Sequence, residues 1–222
     1  MSELLPATVL VVAKAPVPGL AKTRLAATIG DAAAADVAAA ALLDTLDAVA
    51  ATPVTGRVVA FTGDLADAAR ADEIRERLAS FTVVDQRGDG FAERLVHAHS
   101  DAAAAGSPVL QIGMDTPQVT ADLLDSCVRQ LLDGPAVLGM ALDGGWWVLG
   151  VHSAATATCL REVPMSQSDT GALTLAALQG TGVDVMLLPE LADVDTIDDV
   201  DGVRRACDPG TRFAKVTAAV GV

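Results

Sequence analysis

Residues 8–25 have the sequence TVLVVAKAPVPGLAKTRL, in which an aliphatic run gives way to a loop framed by prolines and closed by a glycine. The run Thr8–Ala13 predicts a buried strand, because it consists almost entirely of β-branched and other aliphatic residues. The loop Ala15–Gly19 ends that strand, since proline cannot donate a ladder hydrogen bond. A strand that leads through a short loop toward a helix is the opening unit of an α/β fold.

The same rhythm of strand, loop and helix continues along the chain. Aliphatic runs predict further strands at 57–61, 81–84, 109–112 and 183–188, and helical patterns lie between them at 31–51, 65–79, 91–105, 120–132, 170–178 and 196–206. Because strands alternate with helices, we expect an α/β three-layer sandwich with a mainly parallel sheet. No repeat or linker divides the sequence, so we predict a single domain over residues 1–222.

One segment interrupts this alternation. Two aliphatic runs at 136–142 and 146–151 are separated by Asp143-Gly144-Gly145, a sequence suited to a tight turn. We therefore expect an antiparallel pair inside a mixed sheet. Ligands of such sheets bind outside the carboxyl ends of the strands, so the residues that directly follow strands are the first functional candidates.

Charge and composition exclude several classes of protein. The 222 residues carry a formal net charge of −14, which argues against a nucleic-acid partner, because phosphate contacts need clustered Lys and Arg. No apolar run is long enough for a membrane span, and an acidic residue stands where a signal peptide has basic ones. Three widely spaced cysteines suggest neither disulfides nor a zinc site. We expect a cytoplasmic protein with small-molecule partners, and consider a homodimer as its assembly.

The loop after the first strand concentrates positive charge. Two of the three lysines, Lys14 and Lys22, lie here together with Arg24, around the Pro18-Gly19 turn. The P-loop consensus is absent, because alanine and proline occupy its glycine positions. A rigid loop with three cations still suits a di- or triphosphate, which arginine can bind bidentately. The alternative is an ordinary solvated surface loop.

The predicted strand at 109–112 delivers a carboxylate to the same edge of the sheet. Asp115 follows it in the sequence Gly-Met-Asp-Thr-Pro. A carboxylate beside phosphates would be repelled unless a divalent cation bridged the two, so Asp115 and the basic loop together predict Mg²⁺ or Mn²⁺. In the alternative interpretation Asp115 only caps its own turn.

A later acidic stretch offers a second metal ligand. Its spacing fails as a calcium loop, because an isoleucine occupies a ligand position and no glutamate closes the loop. Thr196 and the acidic residues after it suit the start of a helix. Asp193 and Asp195 precede that helix, and we expect one of them to bind the metal.

Two further turns are weaker candidates. Asp143 could contact a hydroxyl group or act as a general base, with Gly144 beside it, although a pure turn role is an alternative. Gln86 and Gly88 follow the third strand and could touch a nucleotide base or ribose. Two adjacent tryptophans follow Asp143 and must point to opposite faces of their strand.

Four motifs in order resemble one bacterial family. They are K-x-P-x-P-G-x-x-K-T-R-L at 14–25, G-M-D-T-P at 113–117, D-G-G-W-W-V-L-G at 143–150 and D-V-D-T-x-x-D at 193–199. Together they resemble nucleotide-diphospho-sugar transferase-like proteins, some of them in arsenosugar-biosynthesis or radical-SAM gene contexts. These are related to guanylyltransferases of molybdopterin and phospholactate. The resemblance covers residues 9–201.

The resemblance implies a fold and roles for particular residues. The fold would be GT-A, shared by metal-dependent glycosyltransferases and nucleotidyltransferases. Lys14, Lys22 and Arg24 match the loop over the nucleotide phosphates, and Asp115 matches the DxD-like metal ligand. The remaining matches are Asp143 and Gly144 near the sugar or acceptor, and Asp193 or Asp195 near the metal.

The sequence thus predicts a metal-dependent transferase that takes a group from a nucleotide-activated donor. Lys22, Asp115 and Asp143 are the predicted catalytic residues. Glycosyl transfer from an NDP-sugar to a small-molecule acceptor is the favoured reaction. Nucleotidyl transfer from an NTP and nucleotide binding without turnover are the two alternatives.

Overall fold

The strands of the protein form one seven-stranded sheet in a computed structural model that describes residues 3–103 and 106–221. Met1, Ser2 and Val222 of the predicted domain, and Ala104–Ala105 of the predicted helix 91–105, lie outside these residues. The strands are β1 (Leu5–Lys14), β2 (Val54–Thr62), β3 (Thr82–Asp85), β4 (Val109–Ile112), β5 (Ala136–Ala141), β6 (Trp146–Val151) and β7 (Val185–Leu191).

Their order in the sheet is β3-β2-β1-β4-β6-β5-β7. All neighbours are parallel except β6, which runs antiparallel to both β4 and β5. The mixed, mainly parallel sheet predicted from the sequence is confirmed, including the antiparallel hairpin around Asp143.

Helices cover both faces of the sheet. They are α1 (Thr23–Ile29), α2 (Asp31–Ala51), α3 (Ala71–Leu78), α4 (Phe91–Ala102), α5 (Ala121–Asp133), α6 (Thr170–Gly180), α7 (Ile197–Ala206) and α8 (Arg212–Ala219), with a 3-10 helix at Thr156–Glu162. Alternate residues of β1 enter two different cores, as the twofold period of a strand requires. Val9 and Val11 pack with α2, α3 and α5, whereas Leu10 and Val12 pack with α4, α6 and the 3-10 helix.

Three helical segments were not predicted from the sequence. The helix α1 and the 3-10 helix are each short, so they give little periodic signal. The helix α8 packs on α2, and Asp44 of α2 accepts hydrogen bonds from the main-chain N–H groups of Arg212 and Phe213. Such a partner, far away in sequence, leaves no local pattern.

Strand direction determines which loops meet. The parallel neighbours β1 and β4 end at the same edge, so the basic loop and Asp115 lie side by side. Because β6 is antiparallel, its pairing of Val148 with Ile112 brings the turn before β6 to that edge as well. The strand β7 is parallel to β5 and leads at its carboxyl end toward Asp193. Within the described residues, no helix has the length and apolar character that crossing a bilayer requires.

Candidate functional site

An ion pair joins the basic loop to the end of β4. Lys22 Nζ donates a hydrogen bond to Asp115 Oδ2 at 2.8 Å, and the lysine side chain is only 11% exposed. Burial lowers the pKa of Lys22, but the attraction and hydrogen bond of Asp115 outweigh it, so this pKa lies above its usual value. The ammonium is therefore charged at neutral pH.

The backbone at Lys22 is also unusual. Its φ of 48° and ψ of 49° are left-handed, and the residue is the N-cap of α1. A left-handed conformation costs a non-glycine residue about 1 kcal/mol or more, so it persists only where the surroundings enforce it. The chain thus holds the lysine in a strained backbone conformation that places its ammonium on Asp115.

The segment after β7 brings further carboxylates to this pair. The main-chain N–H of Val194 donates to the carbonyl of Asp115 at 3.2 Å, which fixes the two segments together. Asp193 is half-buried beside them. Burial, followed by the charges of Asp115 and Asp143, raises the pKa of Asp193 to about 6, and Lys22 opposes this shift. Three carboxylates therefore influence one another at this edge.

A second ion pair lies next to the first. Arg24 Nη1 donates to Asp195 Oδ2 at 2.5 Å, with 73% of the arginine side chain exposed. Asp199 has a different role: its Oδ2 accepts from the main-chain N–H of Thr196 at 2.7 Å, as a residue that caps α7. The prediction that Thr196 begins this helix is confirmed.

The turn between β5 and β6 is fixed by its neighbours. Asp143 is exposed, and its Oδ1 accepts from the main-chain N–H of Gly145 at 2.7 Å. Gly144 has a φ of 91°, and a Cβ there would lie 1.8 Å from the carbonyl oxygen of Ser168. The N–H of Gly171 donates to the carbonyl of Gly144 at 2.8 Å. The loop before α6 therefore packs directly on the Asp143 turn.

The sequence analysis did not identify this packed loop. Its residues 166–169 are four exposed polar residues, Ser166-Gln167-Ser168-Asp169, directly before α6. A polar run before a helix was the available signal, but it is common in loops of no particular function. Its contact with the Asp143 turn is visible only in three dimensions.

The other predicted nucleotide contacts have internal partners. Lys14 Nζ donates to the carbonyl of Leu20 at 3.1 Å, which closes the basic loop, while Pro18 and Gly19 lie exposed on it. Gln86 Nε2 donates to the carbonyls of Ala13 and Ala60 and so joins the ends of β1 and β2.

Gly88 serves the packing of the loop after β3. Its φ is 131°, and a Cβ there would lie 2.9 Å from Glu93 Cγ. A side chain at this position would therefore collide with α4. The structure gives Gly88 a packing role, and its contact with a nucleotide stays a prediction.

The two tryptophans point to opposite faces, as predicted. Trp147 is buried in the core with β1 and α5, and its Nε1 donates to the carbonyl of Pro189 at 2.9 Å. Trp146 is partly buried against the other core, with α4 and α6. This arrangement confirms the pattern expected of neighbours on one strand.

The carboxylates are the right kind of ligand for a hard divalent cation, but they are not arranged to bind one in this structure. Among the described residues, no three His, Cys, Asp or Glu side chains are grouped so as to hold a metal ion. Asp115 and Asp195 are instead bound by Lys22 and Arg24. Carboxylate oxygens are nevertheless the donors that Mg²⁺ and Mn²⁺ prefer, and Asp193 lies close enough to Asp115 for its pKa to respond to that charge.

Comparison with known proteins identifies the family of the chain. A family model matches residues 45–167, more than half of the sequence, and the protein belongs to that family, described as uncharacterized protein conserved in bacteria (DUF2064). No curated protein matches the sequence significantly. The association with arsenosugar or radical-SAM genes stays a prediction.

Solved structures share the fold. A protein from Desulfovibrio desulfuricans G20, provisionally assigned as a nucleotide-diphospho-sugar transferase, is 23% identical, with a TM-score of 0.84 over 98% of this chain and 97% of that one. Rv0371c from Mycobacterium tuberculosis H37Rv, in complex with manganese, is 19% identical, with a TM-score of 0.53 over 89% and 97%.

A third similar structure is CMP:2-keto-3-deoxy-manno-octonic acid synthetase complexed with CTP. It is 12% identical, with a TM-score of 0.55 over 92% of this chain and 98% of that one. At these low identities the three likenesses establish the fold alone, and they confirm the nucleotide-diphospho-sugar transferase fold expected from the sequence.

Proposed function

We propose that this member of the DUF2064 family is a metal-dependent transferase that takes its transferred group from a nucleotide-activated donor, most simply a sugar from an NDP-sugar. One observation carries the proposal: at a single edge of the sheet, Lys22 and Arg24 meet the carboxylates Asp115, Asp193 and Asp195, with Asp143 on the adjoining turn. Ligands of α/β sheets bind at this edge.

Asp115 and Asp193 are the residues that would hold Mg²⁺ or Mn²⁺. Asp193 is the proposed second ligand, because the charge of Asp115 already influences its pKa. Asp195 is the alternative, and it would first have to release Arg24. When bound, the cation would neutralise part of the charge of a diphosphate. The manganese in Rv0371c supports this choice for a protein of the same fold.

The basic loop supplies the groups for the leaving phosphate. In glycosyl transfer the bond between the sugar carbon and the diphosphate oxygen breaks, and NDP leaves with the electron pair. Lys22 and Arg24 would stabilise the negative charge that develops on that oxygen. Lys14 would contribute by keeping the loop closed through its bond to Leu20.

Asp143 would receive the proton of the acceptor. The acceptor oxygen forms the new bond to the sugar carbon and loses its proton, which an exposed carboxylate can accept. One oxygen of Asp143 is held by the N–H of Gly145, so the carboxylate is oriented before the acceptor arrives. The packed loop 166–169 would line the acceptor side, because it contacts this turn.

Nucleotidyl transfer is the second candidate. It is supported by the fold shared with a synthetase that was solved with CTP. In that reaction an oxygen of the acceptor attacks the α-phosphorus of an NTP, and pyrophosphate leaves. The same cations would then stabilise pyrophosphate in place of NDP.

Donor hydrolysis tests the proposal without knowledge of the acceptor, because water can replace it. The protein is incubated with Mn²⁺ and either UDP-, GDP-, CDP- and dTDP-sugars or the four NTPs, and the products are separated by chromatography. Release of NDP supports glycosyl transfer, and release of pyrophosphate supports nucleotidyl transfer. If donors bind but neither the NDP-sugars nor the NTPs are turned over, the proposal is contradicted and a nucleotide-binding protein is favoured.

A further inference from the structure

The two ion pairs of the site occupy the groups that a metal and a phosphate would need. Lys22 Nζ is bound to Asp115 Oδ2, and Arg24 Nη1 to Asp195 Oδ2. Each pair joins the basic loop after β1 to a segment more than ninety residues away, since the sequence separations are 93 and 171. The basic loop is thus attached to the acidic segments by side-chain charges.

We infer that Lys22 is an exchangeable latch on Asp115, which makes metal binding and nucleotide binding at this site strongly dependent on each other. The nucleotide part of the inference rests on the proposed function. The competition between Lys22 and a divalent cation for Asp115 does not, because it concerns only groups present in the chain.

The charges explain why neither ligand should bind well alone. A divalent cation on Asp115 would displace an ammonium that is 89% shielded from solvent and leave it beside a doubly charged ion. A phosphate that drew Lys22 away would leave Asp115 facing both the phosphate and Asp193. When both ligands arrive, the cation takes Asp115 and the phosphate takes Lys22, so every charge again has a partner.

The backbone limits how Lys22 can respond. Its left-handed conformation at the start of α1 sets the direction of the Cα–Cβ bond, and its side chain is only 11% exposed. We therefore expect an entering phosphate to reach the ammonium close to where it lies now. Arg24 differs in this respect, because most of its side chain is exposed and can leave Asp195 freely.

The first test measures Mn²⁺ binding without nucleotide, by calorimetry and by the EPR signal of free Mn²⁺. In K22M the competitor for Asp115 is gone, and we expect Mn²⁺ to bind about tenfold more tightly than in the wild type. The matched control is K215M, which removes the same charge from the exposed Lys215 of α8, whose Nζ donates to the carbonyl of Gly210.

Each outcome of this test decides the inference. Tighter Mn²⁺ binding in K22M, with a change of less than about threefold in K215M, supports the latch. Unchanged or weaker binding in K22M overturns it. Equal gains in both variants also overturn it, because they show a general effect of net charge. If K22M does not fold, K22Q takes its place.

The second test measures the coupling in the wild-type protein. We expect UDP, GDP or CDP to raise the affinity for Mn²⁺ by about tenfold or more, with the Mn²⁺–nucleotide complex in solution included in the fit. Independent binding of metal and nucleotide would overturn the latch. If none of these nucleotides binds under any condition, the proposed function fails, while the comparison of K22M with K215M still decides the competition for Asp115.

Discussion

Two groups of charged residues hold distant segments of the chain together, and they do so in different ways. The helical cluster, formed by Asp44, Asp47, Glu73 and Arg212, lies where α2, α3 and α8 meet. The strand-end cluster, formed by Lys22, Arg24, Asp115, Asp143, Asp193 and Asp195, lies at the carboxyl ends of the strands.

The helical cluster binds main-chain groups as well as side chains. Asp44 Oδ2 accepts from the N–H of Phe213 at 2.7 Å, and its Oδ1 from the N–H of Arg212 at 3.1 Å. Arg212 Nη1 also donates to Asp47 Oδ2 at 2.6 Å. These bonds satisfy N–H groups at the start of α8 that have no partner within the helix. A ligand could therefore not take the place of these bonds without unfolding the helix end.

The two ion pairs of the strand-end cluster are bonds between side chains, and carboxylates are in excess there, whereas Asp143 binds the main-chain N–H of Gly145 in its own turn. The ion pairs can exchange partners without loss of secondary structure. Charge density alone therefore does not distinguish a binding site from a structural cluster. The distinguishing property is whether the charged groups stabilise secondary structure or can exchange their partners for a ligand. A cavity of about 520 Å³ lies beside the helical cluster, and the described residues that line it include none of the strand-end cluster.

The largest expected effect is on the free energy of unfolding, and it distinguishes the helical cluster from the strand-end cluster. Asp44→Ala should reduce the free energy of unfolding by about 3 kcal/mol, because it removes a buried carboxylate that caps α8 and pairs with Arg212. Urea denaturation measures this change. Asp47→Ala is the control and should cost about 1 kcal/mol or less, since Asp47 is 36% exposed. Equal losses would show that Asp44 has no special role.

The next effect would separate them by binding. Asp115→Asn keeps the size of the side chain and an oxygen that can accept from Lys22, so the protein should still fold, with a loss of about 2 kcal/mol in the free energy of unfolding because the nearly buried ammonium loses its charged partner. Metal-dependent nucleotide binding should fall by roughly a hundredfold, because the site loses a charged ligand. Calorimetry with Mn²⁺ and the nucleotide panel measures it. Unchanged affinity would remove Asp115 from the site.

A buried histidine that stays neutral in the folded protein should make the stability depend on pH. His99 on α4 is fully buried, and among the described residues neither of its ring nitrogens has a hydrogen-bond partner. Burial lowers its pKa to about 4, an effect that nearby Gln111 partly opposes. Because the unfolded chain then binds more protons between the two pKa values, stability should decrease as the pH falls below the ordinary histidine pKa of about 6.5.

The contribution of His99 to this loss is about 2 kcal/mol between roughly pH 7 and pH 5, and it should level off only below pH 4. The raised pKa of Asp193 acts in the opposite direction, so the comparison with a variant isolates His99. His99→Gln keeps a polar side chain but does not titrate, so its stability should depend less on pH by this amount. Urea titrations at several pH values measure both proteins. Parallel pH profiles would contradict the assignment.

The smallest expected effect concerns the exposed pair. Arg24→Ala should change the free energy of unfolding by less than about 1 kcal/mol, because Arg24 is mostly exposed. If Arg24 contacts phosphate, nucleotide affinity should still fall by about tenfold. Thermal melting without nucleotide measures the change in stability, and the shift in melting temperature on addition of nucleotide measures the change in affinity. A drop in stability without a drop in affinity would show that Arg24, like the residues of the helical cluster, stabilises the fold and does not bind nucleotide.

Much of the fold was predictable from local pattern. The bounds of α2 and β4 match the sequence prediction, because each segment has a strong pattern and clear ends. The start of α3 at Ala71, later than predicted, was not predictable, since polar residues at 65–70 fit a loop as well as a helix. The helix α8 depends on Asp44, and no local signal predicts a contact at that distance.

The sequence predicts the residues of the candidate site but not their arrangement. Lys22, Asp115 and Asp193 stood out because each follows a strand or lies in a charged loop. That Lys22 binds Asp115, and that Asp195 binds Arg24, depends on the directions of side chains in space. Gln86 has the right position after β3, yet its amide joins two strand ends, which no sequence pattern reveals.

The order in which the site residues occur along the chain has a consequence during synthesis. Lys22 emerges from the ribosome early, whereas Asp193 follows the last strand of the sheet. Because folding of a domain proceeds as its chain is completed, a growing polypeptide exposes the basic loop long before its carboxylate partners exist. The full set of candidate site residues is therefore present only after β7 has been synthesised.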